Sequence, residues 1–152
     1  TIPVYKGANM PLVHQKSDFA VREYGNWYSN AQPPVPPGGY ARKKLEDESA
    51  VSFMIKTVLA HPKEITLVAI GPLTNIAQAI RAEARFARNV RRLIIMGGAI
   101  AILPDGAGNI TPNAEFNFWV DPEAAYVTLR SGILLLDSLL RDLQYQKCRL
   151  NI

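Results

Sequence analysis

The stretch ITLVAIGPLTNIAQAI, residues 65–80, decides the fold class. It opens with a largely apolar run, breaks at Gly71-Pro72, and resumes with apolar residues at helical spacing. A short, continuous apolar run is typical of a buried strand, and a Gly-Pro pair marks a break between elements. The sequence therefore predicts a buried strand that leads directly into a helix.

A second apolar run, residues 93–96, follows this helix and ends in Gly97-Gly98 and a long loop. Two strands separated by a helix form a βαβ unit, in which the strands are parallel and functional loops lie at their carboxyl ends. Residues 71–75 and 96–98 both lie at such ends. We therefore expect them to contribute to a site at this edge of the sheet.

The segment GNITPNAEFNFWVDPEAA, residues 108–125, alternates polar and apolar side chains. If residues 114–120 are extended, Glu115 and Asn117 point to one face, and the other face carries Phe116, Phe118 and Val120. A carboxylate beside an amide can bind a vicinal diol bidentately. An ordinary half-buried strand with polar residues on its solvent face gives the same alternation, so the pattern leaves both interpretations open.

The sequence Asp121-Pro122-Glu123 predicts the start of a helix. An Asp side chain caps free backbone N–H groups, Pro suits the first helical position, and Glu complements the helix dipole. Gly132 would end this helix near Ser131. Asp121 is therefore interpreted as a cap rather than a catalytic acid.

Several short motifs occur in a fixed order. They are IPVYKGA (2–8), PL (11–12), GPLTN (71–75), MGG (96–98), GN (108–109), AEFN (114–117) and DPEAA (121–125). In this order and spacing they resemble the inosine-uridine preferring nucleoside hydrolases over residues 1–132. The resemblance implies an α/β fold, with a partial Rossmann-like, mostly parallel sheet flanked by helices.

The resemblance also implies a chemistry: hydrolysis of the N-glycosidic bond of ribonucleosides to base and ribose by a calcium-bound water. Calcium prefers oxygen ligands, and by resemblance the Thr74 backbone carbonyl would supply one, so the Thr74 side chain itself would matter little. By resemblance, Asn109, Glu115 and Asn117 match positions that bind the ribose hydroxyls. Met96 matches a position that lines the sugar site.

Two parts of the family pattern do not occur in this sequence. The Asp-rich loop that holds calcium and activates water has no counterpart, and the His-Asp pair of the second half is missing because no His follows His61. His14 and His61 belong to no matching motif and are assigned no catalytic role. We therefore expect a truncated or processed chain with little or no activity of its own. The alternative is a noncatalytic ribose-binding or interaction remnant of the family.

The predicted organisation has two parts. Residues 1–132 form the partial nucleoside hydrolase-like domain, which contains a Pro-rich loop at 30–39. After Gly132 the resemblance fails, and leucines at helical spacing predict an amphipathic helix in a divergent tail, residues 133–152. The aromatic residues around the loop could stack on a base, but anchoring the loop is the favoured interpretation. These residues are Tyr24, Trp27, Tyr28 and Tyr40.

The net charge of +4 is concentrated on and after one helix. The residues concerned are Arg81, Arg85, Arg88, Arg91 and Arg92. Such a pattern is typical of a solvated helix face, and the alternative is a basic interaction domain that binds an anionic partner. Because matching aromatic residues are lacking, a nucleic-acid partner is not expected.

The 152 residues, of which 48% are hydrophobic, are enough for one domain with a core. A partial family domain would leave sheet edges unpaired, which predicts a homo-oligomer. Cys148 has no partner for an internal disulfide, and there is no apolar run of membrane-spanning length and no signal segment at the start. We therefore expect a cytoplasmic protein without a membrane partner.

Overall fold

The structure, a computed structural model, describes residues 2–13, 36–40, 42–99 and 108–133, together with the backbone of residues 136–138. In chain order, its elements are β1 (Tyr5–Lys6), β2 (Glu46–Ser49), α1 (Ala50–Ala60), β3 (Thr66–Ala69), α2 (Thr74–Ala82), α3 (Phe86–Asn89), β4 (Arg92–Ile95), α4 (Phe116–Val120), α5 (Pro122–Leu129) and β5 (Leu136–Ser138). These strands pair in parallel, β1 with β2 in one sheet and β3, β4 and β5 in that order in another. The expected α/β fold is confirmed.

The βαβ unit predicted from residues 65–96 is present. Strand β3 pairs with β4 so that Thr66 lies opposite Arg92, and α2 connects the two strands together with the short α3. Burial of β3 differs from the expectation. Its side chains alternate, and Val68 and the following Ile70 are 59% and 72% exposed. Within the described residues, the sheet is therefore covered on one face, and β3 lies at its edge.

The core lies between the covered sheet face and residues of four helices, α1, α2, α3 and α5. Helix α2 buries Ile76, Ala77 and Ala79, and it packs against α5, which buries Ala124 and Ala125. Alanines at the contact let two helices approach closely, while the apolar stripe of α2 follows the helical period. Larger side chains from α1, α3 and β4 fill the remaining space. The largest of these are Val58, Phe86, Leu93 and Ile95.

Residues 114–120 are not one extended segment, because Phe116–Val120 is helix α4 and only Ala114 and Glu115 before it are extended. The Glu115 carboxylate accepts hydrogen bonds from the backbone N–H groups of Asn117 and Phe118, which is a helix cap. The alternative interpretation, a half-buried strand with these residues on its solvent face, is also wrong, because Glu115 and Asn117 are 4% and 5% exposed. Polar alternation here reflects capping and buried hydrogen bonds, not a half-buried strand.

The predicted start of the next helix is confirmed. Asp121 caps α5 by accepting from Ala124 N at 3.0 Å, and Pro122 is its first residue. The helix ends at Leu129, two residues before the expected end, and Gly132 adopts a left-handed conformation with φ 75°. The chain reverses there as expected for a glycine beyond a helix C-terminus.

The tail is not helical where the structure describes it. Leu136–Ser138 is strand β5, and it pairs in parallel with β4. Leu136 is the one leucine of the predicted helical spacing that lies in this strand, and pairing with β4, which spacing does not reveal, makes the segment extended. Residues 134–135 and 139–152, including Cys148, lie outside the described residues, as do residues 30–35 of the Pro-rich loop and the aromatic residues before it. Within the described part of the chain, no helix could span a membrane.

One buried carboxylate joins three parts of the fold. Asp121 is fully buried, and its Oδ2 accepts from Leu12 N at 2.9 Å and from Thr74 Oγ1 at 2.6 Å, while its Oδ1 accepts from Ala124 N. A carboxylate is tolerated in a protein interior only when such donors surround it. Asp121 therefore ties the segment after β1 and the start of α2 to the start of α5.

Replacing this carboxylate should destabilise the fold more than an ordinary acidic substitution. In Asp121→Ala, we expect the free energy of unfolding to fall by about 3 kcal/mol or more, because a cap is lost, and a buried hydroxyl and a partly buried N–H group lose their acceptor. Urea unfolding, followed by circular dichroism, measures the change. Asp121→Asn retains one acceptor oxygen, so its free energy of unfolding should lie between that of the unmodified chain and that of Asp121→Ala.

Asp47→Ala is the matched control, because Asp47 is exposed on β2. Its unfolding midpoint should equal that of the unmodified chain. Equal midpoints for Asp121→Ala and Asp47→Ala would contradict the assigned role of Asp121.

Candidate functional site

Glu115 is the centre of a polar cluster at the carboxyl edge of the sheet. Its Oε1 accepts from Asn117 N at 2.9 Å, and its Oε2 accepts from Gly98 N at 2.9 Å and Phe118 N at 3.2 Å. A carboxylate has about four acceptor positions, so three are used by the backbone. Glu115 thus caps α4 and fastens the loop after β4 to it.

Asn117 lies beside Glu115 and binds the same loop. Its Nδ2 donates to Met96 O at 2.9 Å and lies 3.4 Å from Met96 Sδ. Met96 N in turn donates to Ala69 O at 2.8 Å, which holds it at the end of β3 and β4. No hydrogen bond from the described residues reaches Asn117 Oδ1, so this oxygen is an acceptor that a ligand hydroxyl could use.

Asn109 supports the same helix from the preceding turn. Its Oδ1 accepts from Phe116 N at 2.8 Å, although the residue is exposed. The adjacent Gly108 has no space for a side chain, because a Cβ would overlap the carbonyl oxygens of Thr111 and Ala114. The GN motif is therefore explained by a tight turn and by an amide that braces the first turn of α4.

Thr74 is joined to the cluster indirectly. It is the first residue of α2, 7% exposed, and its hydroxyl donates to Asp121, which directly follows α4. The sequence expectation assigned only its backbone carbonyl a role, so this side-chain contact was missed. The side chain of the neighbouring Asn75 also binds, because its Oδ1 accepts from Ala8 N at 2.7 Å.

Of the five site residues expected from the sequence, four form one cluster. The fifth, Thr74, is connected to that cluster only through Asp121, the residue that follows α4. The cluster contains Met96, Asn109, Glu115 and Asn117. Sequence reasoning missed the part played by Phe118, whose ring lies against Gly97 and Gly98. The available signal for this contact was the Gly97-Gly98 pair, because paired glycines often mark a place where another group closely approaches the backbone.

The described residues do not fit a calcium site by themselves. Among them there is no group of three or more Asp, Glu, His or Cys side chains placed to hold a metal. Asp121 and Glu115 already accept three hydrogen bonds each from the protein. The Thr74 carbonyl, in the first turn of a helix, would supply one oxygen ligand, whereas calcium binds about six to eight.

Comparison with known proteins identifies the family. The sequence model of the inosine-uridine preferring nucleoside hydrolases matches residues 1–146. The chain belongs to the inosine-uridine preferring nucleoside hydrolase family. The match runs past Gly132, where we expected the resemblance to end, and into the tail that contains β5.

Several nucleoside hydrolases are similar in sequence or structure. The pyrimidine-specific ribonucleoside hydrolase RihB of Escherichia coli is 38% identical over 135 residues, which make up 89% of this chain and 40% of that protein. A plant nucleoside hydrolase, PpNRh1, has a TM-score of 0.67 and 34% identity over 91% of this chain and 42% of its own. A purine-preferring ribonucleoside hydrolase from Gardnerella vaginalis has a TM-score of 0.69 and 30% identity, covering 89% of this chain and 42% of its own. This chain therefore spans about two fifths of the length of these relatives.

The other charged groups singled out in the sequence lie away from this cluster's hydrogen bonds. His61 follows α1 and is 3.9 Å from Glu64 Oε2 through its Nδ1, while His14 lies outside the described residues. All five arginines of the basic segment are exposed, as expected for a solvated face. Arg85 is further paired with Glu83 through Nε at 3.0 Å and Nη2 at 2.9 Å.

The Thr74 hydroxyl allows a test that separates side chain from backbone. Thr74→Val keeps the carbonyl and the shape but removes the donor to Asp121, so the free energy of unfolding should fall by about 1.5–3 kcal/mol. Thr74→Ser retains the hydroxyl and is the control, with an expected loss below about 1 kcal/mol. Equal urea midpoints for Val and Ser would restore the original expectation that only the carbonyl matters.

The Glu83–Arg85 pair predicts a pH dependence. The Arg85 guanidinium and backbone N–H bind the Glu83 carboxylate and lower its pKa from 4.5 to about 2. Because the pKa is lower in the folded chain, this pair stabilises the fold above about pH 4.5 and ceases to do so as the pH falls towards 2.

Carboxyl titration by NMR should show Glu83 losing its proton well below pH 4.5. Arg85→Ala should return its pKa towards the ordinary value, whereas Arg88→Ala should leave it unchanged. A Glu83 titration near 4.5 in the unmodified chain would contradict the pairing.

Proposed function

We propose that this protein acts on ribonucleosides by hydrolysis of the N-glycosidic bond, and that the described residues supply the part that binds the ribose hydroxyls. Family membership supports the reaction class, and the Glu115–Asn117 cluster carries the binding part of the proposal. Glu115 retains about one acceptor position, and Asn117 Oδ1 accepts nothing from the described residues. Two acceptors on one helical turn suit neighbouring hydroxyls, which are donors.

Calcium binding and water activation are not assigned to these residues. The carboxylates of Glu115 and Asp121 already accept hydrogen bonds from backbone and hydroxyl donors, so we assign neither of them a metal-dependent step of the reaction. A noncatalytic, ribose-binding role is therefore kept as the second candidate. The lack of an acidic cluster among the described residues is the observation that favours it.

Similar proteins differ in the base that they prefer, so the proposal includes no base preference. One carries the name pyrimidine-specific and another the name purine-preferring, at 38% and 30% identity. Assembly into a homo-oligomer within the cytoplasm is part of the proposal. Among the described residues, β3 is an edge strand, and Val68 and the following Ile70 expose apolar side chains. Both features support association, because an unpaired strand edge favours pairing with another chain.

A nucleoside panel separates the two candidate functions. Release of reducing sugar from purine and pyrimidine ribonucleosides is measured with calcium and with chelator, alongside nucleoside binding by calorimetry. Glu115→Gln should lower turnover or affinity by about 100-fold, since a charged acceptor contributes about 3 kcal/mol. Glu64→Gln is the control, because the Glu64 side chain is 73% exposed.

Each result has a distinct meaning once circular dichroism shows that all variants are folded. Calcium-dependent turnover that is lost in Glu115→Gln supports the hydrolase. Binding without turnover, again lost in Glu115→Gln, supports the noncatalytic candidate. If a folded chain neither binds nor hydrolyses any nucleoside, both candidates are wrong.

A further inference from the structure

The loop after β4 is held to α4 by more than its polar contacts. A Cβ added to Gly97 would lie 2.7 Å from Phe118 Cε1 and 2.8 Å from Phe118 Cδ1, and one added to Gly98 would lie 3.2 Å from Phe118 Cε2. The ring therefore runs along both glycines. Gly98 also has a left-handed φ of 84°. Gly97 is thus required by the close approach of the ring, and Gly98 by its backbone conformation beside the same ring.

The ring, the glycines and the Glu115 carboxylate meet at one point. The same Cβ on Gly97 would lie 3.3 Å from Glu115 Oε2, the oxygen that accepts from Gly98 N. Phe118 N also donates to this oxygen, so the ring and the carboxylate are fixed by one turn of helix. A shift of the ring would move the loop and the carboxylate relative to each other.

From this geometry we infer that Phe118 is a positioning residue for the ribose-contacting cluster. Its ring holds Gly97 and Gly98 against Glu115, and thereby sets the separation between the acceptor atoms of Glu115 and Asn117. The inference rests on the proposed function for the identity of the ligand. The positioning itself concerns hydrogen bonds that are present without any ligand.

The first measurement is amide hydrogen exchange in the full chain. Phe118→Leu should speed exchange at Gly98 N–H by about tenfold relative to the rest of the chain, roughly the effect of losing one hydrogen bond. Phe53→Leu is the matched control, because Phe53 is a partly buried ring that stacks on Tyr5 at 4.0 Å. It should leave the relative exchange at Gly98 unchanged.

A double-mutant cycle tests the contact between ring and glycine. Gly97→Ala should lower the folding equilibrium constant by about tenfold or more in the unmodified chain, through overpacking against the ring. In the Phe118→Leu background the same change should cost much less. Gly71→Ala, which meets no atom within 4 Å, is the control and should be equally mild in both backgrounds.

The third measurement is the affinity for inosine and uridine, which Phe118→Leu should weaken by about tenfold. The inference is overturned if Gly97→Ala costs the same in both backgrounds or if exchange at Gly98 is unchanged. It is also overturned if Phe118→Leu retains full nucleoside affinity while Glu115→Gln loses it. If the unmodified chain binds no nucleoside, the proposed function fails, and exchange and coupling at Gly98 and Gly97 still decide whether Phe118 positions the cluster.

Discussion

The described structure depends on the burial of one carboxylate, Asp121, among donors from three separate segments. A buried charge without such donors has a high free-energy cost. If the segments separated, Asp121 would either become exposed to solvent or lose its donors while still buried. Leu12, Thr74 and Ala124 contribute these donors, and they belong to the chain after β1, the start of α2 and the start of α5. The apolar contact of α2 with α5 provides burial, but it is non-directional. The hydrogen bonds of Asp121 determine how the helix ends are placed relative to each other.

Helix α4 shows how the same principle creates an element that has no stability of its own. Five residues are far too few for an isolated helix in water. The segment is helical because Glu115 caps its first turn and Asp121 follows its last residue, with both carboxylates fixed by contacts outside the helix. Asn109 holds Phe116 N as well. Short polar side chains thus replace the cooperative length that a longer helix would have.

The parts of the fold that sequence predicts are those with local causes. Strand β3 and helix α2 follow from an apolar run, a Gly-Pro break and helical spacing, and the start of α5 follows from Asp121-Pro122. Helix α4 was not predictable in this way, because the donors to Glu115 include Gly98 N, 17 residues away. Strand β5 was missed for a similar reason, since it is a strand through pairing with β4. The motifs singled out Glu115 and Asn117, but the alternating pattern could not show that both are almost completely buried, because their burial depends on the loop after β4. Residue type indicates what a side chain can bond, but only the fold decides which of its atoms bond to the protein itself.

The atoms that do not bond to the protein determine whether the described residues are suited to bind a ligand or to activate water. Glu115 and Asn117 each form hydrogen bonds to the backbone and still retain an acceptor. The backbone hydrogen bonds fix both side chains, and so fix the position of the acceptors that the proposed ligand would use. Such preorganisation favours recognition of hydroxyl donors, because the acceptors do not have to be ordered when a ligand arrives. Water activation needs the opposite arrangement, a base or metal-bound oxygen with a free lone pair facing the reacting carbon. Glu115 and Asp121 already accept three hydrogen bonds each from the protein, so in the proposed function we assign Glu115 to recognition of hydroxyls and Asp121 to structure, and neither to activation of water.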